Sequence, residues 1–161
     1  MTHVLVNLSF ARRCHYGKMC ESILIHLPEY IIMVFAGKRP NNLGISNGKL
    51  APCPNSPNCV SSQSTDATHK IAPLTFTSSP EEAISNLKKI IESLPRTKII
   101  TESQDYLYAE FKSALLGFVD DVEFYLDRNA NVIQVRSASR LGQSDLGVNR
   151  QRIETIRAKL K

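Results

Sequence analysis

Three consecutive runs in the second half of the chain alternate apolar and polar residues, and this pattern constrains the fold more than any other feature. The runs are YLYAEFKS (106–113), DDVEFYLD (120–127) and VIQVRSAS (132–139). A period of two places alternate side chains on opposite faces of a strand. Together with the β-branched run TKIITES (97–103), they predict an antiparallel meander with one covered apolar face and one solvated polar face.

Two helices are predicted on either side of these runs. In SSPEEAISNLKKIIESLP (78–95), Ser79 is the expected N-cap, Pro80 the first helical residue and Glu82 the partner in a capping box. Its apolar stripe consists of Ile84, Leu87, Ile91 and Leu94. The final segment, GVNRQRIETIRAKLK (147–161), carries a second stripe of Ile153, Ile156 and Leu160 that extends back to Asn149.

These elements define an α+β fold. With HKIAPLTF (69–76) as a candidate first strand, the order is β-α-β-β-β-β-α, a two-layer sandwich with two helices on one face of a mostly antiparallel sheet. Residues 69–161 are expected to form this domain, and residues 33–68 an irregular arm rich in Pro, Gly and Asn. Residues 1–32 lack regular patterning and are interpreted as a non-native or disordered extension, with Met33 as the true start.

Charged residues on the polar face are expected to form a row. The tightest pairing of the last hairpin places Glu123 opposite Arg136, and the preceding hairpin then places Glu110 opposite Glu123. Paired carboxylates can act in acid/base catalysis when they are buried. A solvated sheet face is the favoured interpretation.

The segment SASRLGQSDLGVNRQR (137–152) lies at a predicted strand-to-helix corner and has two interpretations. Backbone N–H groups at the helix N-terminus, with Arg140 and Arg150, could hold a small anion. Alternatively, the segment is a hydrogen-bonded corner. Asp145 would then cap the helix, Asn149 would satisfy buried backbone groups, and Arg140 would pair with Asp120 or Asp121.

The cysteines of APCPNSPNCVSSQ (51–63) also allow several chemistries. With Cys14 and Cys20, Cys53 and Cys59 could form a Cys₄ zinc site, but the five-residue spacing within each pair is loose for zinc. Flanking prolines argue against a redox pair. A Cys53–Cys59 disulfide is favoured in an oxidising compartment, and two reduced thiols in a cytosol.

Composition excludes few functions. The net charge is +5 and the pI about 9.1, but the basic residues are scattered, which disfavours a nucleic-acid interface. No apolar run reaches the length of a membrane-spanning helix, and no clean export signal precedes the domain, so a cytoplasmic location is favoured. No catalytic, cofactor-binding or metal-binding motif is found, and we expect neither cofactor nor metal.

Three motifs in order, CPNSPNCVSSQ, FVDDVEF and IQVRSASRLGQSDLGVNRQRIE, resemble a bacterial and plastid family of unknown function, DUF1499. The resemblance extends from about Met33 to the C-terminus, and MVFAGKRPNNLG is similar to the start of short, cyanobacterial-type members. Many relatives carry a lipoprotein or membrane leader, which implies an extracytoplasmic or membrane-peripheral location. The resemblance implies no activity.

We expect the three motifs to meet in space and form a ligand-binding corner. The predicted site residues are Asn58, Ser61, Ser62, Asp120, Asp121, Arg136, Ser139, Arg140, Ser144, Asp145, Asn149 and Arg150. The favoured function is a non-catalytic binding or structural module, peripheral to a membrane or envelope complex. The alternative is an enzyme or small-ligand-binding protein that uses the Arg/Asp/Ser corner. The expected partner is a small anion or a protein.

Overall fold

The computed structural model describes residues 35–160 of the chain. The expectations about residues 1–32, about Met33 as a start and about Cys14 and Cys20 lie outside the described residues.

Within residues 35–160, five strands and two helices follow one another in the predicted order. They are β1 (Cys59–Ser61), α1 (Pro80–Ser93), β2 (Thr97–Glu102), β3 (Tyr106–Lys112), β4 (Val119–Asp127), β5 (Val132–Ser139) and α2 (Val148–Leu160). The strands form one antiparallel sheet in the order β1-β5-β4-β3-β2. The α+β class and the element order are confirmed.

The first strand is not the one that the sequence predicted. HKIAPLTF forms only isolated bridges, from Lys70 to Ser61 and from Leu74 to Ile133. Pro73 lacks the N–H that a continuous ladder needs. The first strand is instead Cys59–Ser61, so the segment predicted as an irregular arm contributes a strand to the sheet. The division into arm and domain at residue 68 stays a prediction.

Both helices cover the apolar face of the sheet. The capping prediction for α1 is confirmed, because Ser79 Oγ accepts a hydrogen bond from the backbone N–H of Glu82 at 3.2 Å. One core joins the helices to the sheet, and its members include Leu87, Ile91, Leu107, Phe124, Val135, Ile153 and Ile156. The helix stripes and the alternating runs therefore meet as their periods predict.

The predicted register is correct for one hairpin and wrong for the other. Glu123 lies opposite Arg136, as expected. Glu110, however, lies opposite Asp121, and Tyr108 lies opposite Glu123. The hairpin between β3 and β4 closes with a hydrogen bond from Ser113 N to Phe118 O, and this turn sets the register. The shift is two residues, so each side chain keeps its predicted face.

The polar face is buried, contrary to the prediction of a solvated face. Residues 37–50, here called the strap, extend across it. Leu50 packs against Tyr106 and Tyr108, and Glu123 is 0% exposed. Burial of this face requires internal partners for its charges. The carboxylate and arginine side chains of neighbouring strands supply them.

A disulfide joins Cys53 to Cys59, the first residue of β1, six positions further along the chain. In the chain-entropy description, closing so short a loop stabilises the fold by about 2 kcal/mol. The double variant Cys53→Ser/Cys59→Ser is expected to lower the free energy of unfolding by about this amount, measured by urea denaturation. An unchanged urea midpoint would mean that the native protein holds two free thiols.

Candidate functional site

The turn that leads into α2 is held by two side chains. Asp145 accepts hydrogen bonds at its carboxylate from the backbone N–H groups of Gly147 (3.0 Å) and Asn149 (2.8 Å). Ser144 Oγ accepts from the N–H of Leu146 at 3.3 Å. Burial raises the pKa of the Asp145 carboxyl, but these backbone donors outweigh it and hold the pKa below its usual range. Asp145 therefore stays ionised and caps the helix.

Asn149 is fully buried and joins two of the predicted motifs. Its Nδ2 donates to the carbonyl oxygen of Asn58 at 3.0 Å and to Ser139 Oγ at 2.9 Å. Its Oδ1 accepts from Ser137 Oγ at 2.6 Å and from Arg152 Nη1 at 2.7 Å. The hydrogen bonds of this side chain therefore connect α2 to β5 and to the residue that precedes β1.

Arg152 and Asn58 complete the hydrogen bonding of this corner. Arg152 pairs with Asp120 through Nη2, and its guanidinium lies 4.8 Å from the centre of the Phe111 ring. Asn58 Nδ2 donates to the carbonyl oxygens of Gly142 (2.7 Å) and Ser139 (3.3 Å). These hydrogen bonds and the ion pair therefore bring together three segments of the chain: Asn58–Cys59, Asp120 and Ser137–Arg152.

Two carboxylate–tyrosine–arginine clusters lie side by side under the strap. In the first, Glu123 accepts from Tyr106 OH (2.8 Å), from Gly44 N (2.7 Å) and from Arg136 Nη1 (3.3 Å). The backbone at Gly44 has φ of +110°, a conformation that favours glycine. Burial first, and then the carboxylate of Glu123, raise the pKa of the Tyr106 hydroxyl, which is therefore a hydrogen-bond donor at neutral pH.

The second cluster is centred on Arg140. Its guanidinium contacts Asp121 at 2.9 and 2.6 Å, Tyr108 OH at 3.2 Å, and Glu110. Glu110 also accepts from Arg39 of the strap, at 2.6 and 2.9 Å. Together the two clusters hold three carboxylates and three arginines, so their formal charges balance.

The remaining predicted residues lie away from this corner or face other partners. Arg150 donates to the carbonyl oxygens of Lys70 (2.8 Å) and Thr68 (3.1 Å). Ser62 Oγ accepts from Val135 N at 2.8 Å, and Ser61 lies opposite Arg136 in the sheet. The arginines proposed for anion binding thus have internal carboxylate or carbonyl partners. Ligand binding by the predicted set stays a prediction.

Glu110 makes stability depend on pH. Burial raises the pKa of its carboxyl, but hydrogen bonds from Arg140 and then Arg39 outweigh it and lower the pKa below the usual range. A depressed folded-state pKa stabilises the protein above the unfolded value of about 4.3, and this contribution disappears as pH falls through the folded pKa.

We therefore expect the stability of Glu110→Gln to fall less steeply than that of the wild type between about pH 5 and pH 3. Urea denaturation across this range measures the two slopes. Parallel slopes would show that the ion pairs of Glu110 do not persist in solution.

A cavity of about 280 Å³ opens beside the corner, between the β3–β4 hairpin and the turn before α2. Its walls are mostly apolar, and its polar groups are serines and the carboxylates of Asp120 and Asp145. The lining residues are Ser113, Phe118, Val119, Asp120, Ser139, Leu141, Gly142, Ser144, Asp145, Leu146 and Val148. The lining includes four of the predicted site residues: Asp120, Ser139, Ser144 and Asp145.

Exposed apolar side chains surround this cavity, and the sequence analysis did not predict them. Leu146 is 94% exposed, and Leu141 and Val148 are about half-exposed. All three side chains line the cavity. We call these three residues the apolar rim. The one signal in the sequence was a leucine between two turn-forming residues, Asp145 and Gly147.

The fold and this corner define a class: a small α+β domain with internally paired arginines next to an apolar-rimmed cavity. The sequence model of the family described as "Protein of unknown function (DUF1499)" matches residues 49–160, and the chain belongs to this family. No curated protein matches the chain. Across residues 35–160, no helix is both long and apolar enough to cross a membrane, and no cluster of His, Cys, Asp or Glu side chains could hold a metal ion.

Proposed function

We propose that this protein is a non-catalytic binding module and that the apolar rim and its cavity are the binding surface. The observation that carries the proposal is the conformation of Leu146. This residue is 94% exposed and has a positive φ of 53°. Leucine in the left-handed region is strained, and its exposed side chain gains nothing from packing in the described fold.

The surrounding hydrogen bonds support this interpretation. Ser144 and Asp145 bind the backbone on both sides of Leu146 and hold the turn in place. Asn or Gly would adopt the same backbone conformation at a lower cost. A strained residue held in place by its neighbours is typical of a site where strain serves function.

The hydrogen bonding of the arginines supports binding at the rim over chemistry at the corner. Arg136 and Arg140 contact buried carboxylates, and Arg150 contacts backbone carbonyls. None of the three lines the cavity beside the corner. An anion or substrate would have to displace these internal partners, which would leave buried carboxylates unpaired.

The variant Leu146→Asn is expected to weaken binding without lowering the stability of the fold. Asn tolerates a positive φ, and no packing is lost at a side chain that is 94% exposed, so the free energy of unfolding should stay unchanged or rise by about 1 kcal/mol. Binding should fall. The measurement is selection of a displayed library of random peptides on the immobilised wild type, followed by affinity measurement on both proteins.

The matched control is Ile45→Asn, which removes an exposed apolar side chain of the strap outside the cavity. Selected peptides should bind this control as they bind the wild type and should lose affinity for Leu146→Asn. Equal binding to all three proteins would contradict the proposal.

A further inference from the structure

We propose that the occupant of the rim and cavity is a protein segment that inserts an apolar side chain and places a basic residue against Asp145. This inference rests on the proposed function and adds the chemistry of the partner. It reverses the charge of the ligand that the arginine-rich sequence of the corner predicted.

The charge of the cavity favours a cationic or hydrogen-bond-donating group. Among residues 35–160, two aspartates line it and no Lys, Arg or His side chain does. Asp145 is held ionised by backbone donors, as described above. The polar side chains of the lining are carboxylates and hydroxyls, and carboxylates act as acceptors alone when ionised.

The nearby arginines do not enter the cavity because they are held elsewhere. Asp120 and Asp121 are neighbours in β4, so their side chains point to opposite faces of the sheet. Arg140 pairs with Asp121 under the strap. Arg152 pairs with Asp120 through Oδ2 and stacks on Phe111, on the helix-covered face. The charge of Asp120 is therefore compensated by Arg152, and Asp145, which has no ion-pair partner among residues 35–160, carries the negative charge that a ligand could meet.

The exposed apolar side chains at the edge of the cavity favour a protein segment over a free small molecule. The cavity measures about 280 Å³, near the lower end of the range for small-ligand pockets, and exposed leucines lie at its edge. Such a rim excludes water around an anchoring side chain, as in the centre of a protein interface. An anionic lipid surface is the less favourable occupant because both cavity aspartates would face negative headgroups.

The test continues from the peptide selection. Peptides that bind the wild type and lose affinity for Leu146→Asn should share an apolar residue followed or preceded closely by Lys or Arg. Replacing that basic residue with Gln in the peptide should weaken binding about tenfold or more, because a hydrogen bond to a charged group is lost. Raising the salt concentration should weaken the parent peptide more than the Gln peptide. The protein itself stays unchanged in this comparison, so folding does not confound it.

Three other outcomes are distinguishable. Peptides that depend on Leu146 but are neutral or acidic would overturn this inference and leave the proposed function standing. A selection that enriches no peptide above the Leu146→Asn background would overturn the proposed function as well. Binding of the wild type, but not of Leu146→Asn, to vesicles of phosphatidylserine and phosphatidylcholine without peptide enrichment would assign the rim to a membrane and overturn the protein-segment inference.

Discussion

Glu123→Ala is expected to lower the free energy of unfolding by about 3–5 kcal/mol, the usual cost of removing one partner of a buried ion pair. Glu123 is 0% exposed and accepts hydrogen bonds from Arg136, Tyr106 and the backbone of Gly44. Its removal leaves the Arg136 charge buried without its carboxylate. Urea denaturation followed by circular dichroism measures the loss.

The double variant Glu123→Leu/Arg136→Met is the control for this prediction. It removes both charges, so it should lose less stability than Glu123→Ala. The loss that remains comes from Tyr106 OH and Gly44 N, which lose their acceptor in both variants. Arg136 Nε has no hydrogen-bond partner within residues 35–160, so removal of this side chain also removes a buried unsatisfied group. A single variant as stable as the wild type would contradict the buried pair, since water would then reach Arg136.

Arg140→Ala is expected to cost about 3 kcal/mol or more, because it leaves two partly or fully buried carboxylates facing each other. Arg140 pairs with Asp121, which is 1% exposed, and with Glu110. The loss should be smaller near pH 4 than at pH 7. Burial raises the pKa of Glu110, and this carboxyl can take up a proton once Arg140, which lowers its pKa, is gone. Denaturation of variant and wild type at both pH values measures this.

Arg39→Ala provides the matched comparison. Arg39 also binds Glu110, but its side chain is 50% exposed, so its removal should cost less than about 1 kcal/mol. Equal losses of unfolding free energy for Arg39→Ala and Arg140→Ala would contradict the conclusion that the Arg140 ion pairs are buried and the Arg39 ion pair is exposed. A loss for Arg140→Ala that does not depend on pH would contradict the role assigned to the carboxylates.

The helices and the strand faces could be predicted because their signals are local. Ser79 caps α1 through the backbone of Glu82, and the apolar residues of α1 recur about once per helical turn. In a strand, successive side chains point to opposite faces of the sheet. The buried position of Asn149 followed from helical spacing alone. The contact between the corner and the cysteine segment was expected from the three motifs of the family resemblance. In the structure, this contact includes the hydrogen bond from Asn149 to the carbonyl oxygen of Asn58.

The strap, the register of the β3–β4 hairpin and the apolar rim could not be predicted. The strap depends on groups far apart in the chain, as in the hydrogen bond from Gly44 to Glu123 across 79 positions. The charges of the polar face indicated a solvated surface because the segment that covers them lies far away in the sequence. A loop leucine such as Leu146 carries no periodic signal that distinguishes an exposed position from a buried one.

The sequence by itself determined both helices, strands β2 to β5 and the face on which each of their side chains lies, because propensity, capping and periodicity act over a few residues. The tertiary structure alone decided what covers each face and which charges remain available. Once Arg136, Arg140 and Arg152 had paired with carboxylates, the negative charge that remained accessible in the cavity beside the corner was that of Asp145. Burial of an ion requires a partner, and which arginine reaches which carboxylate is settled when the chain packs.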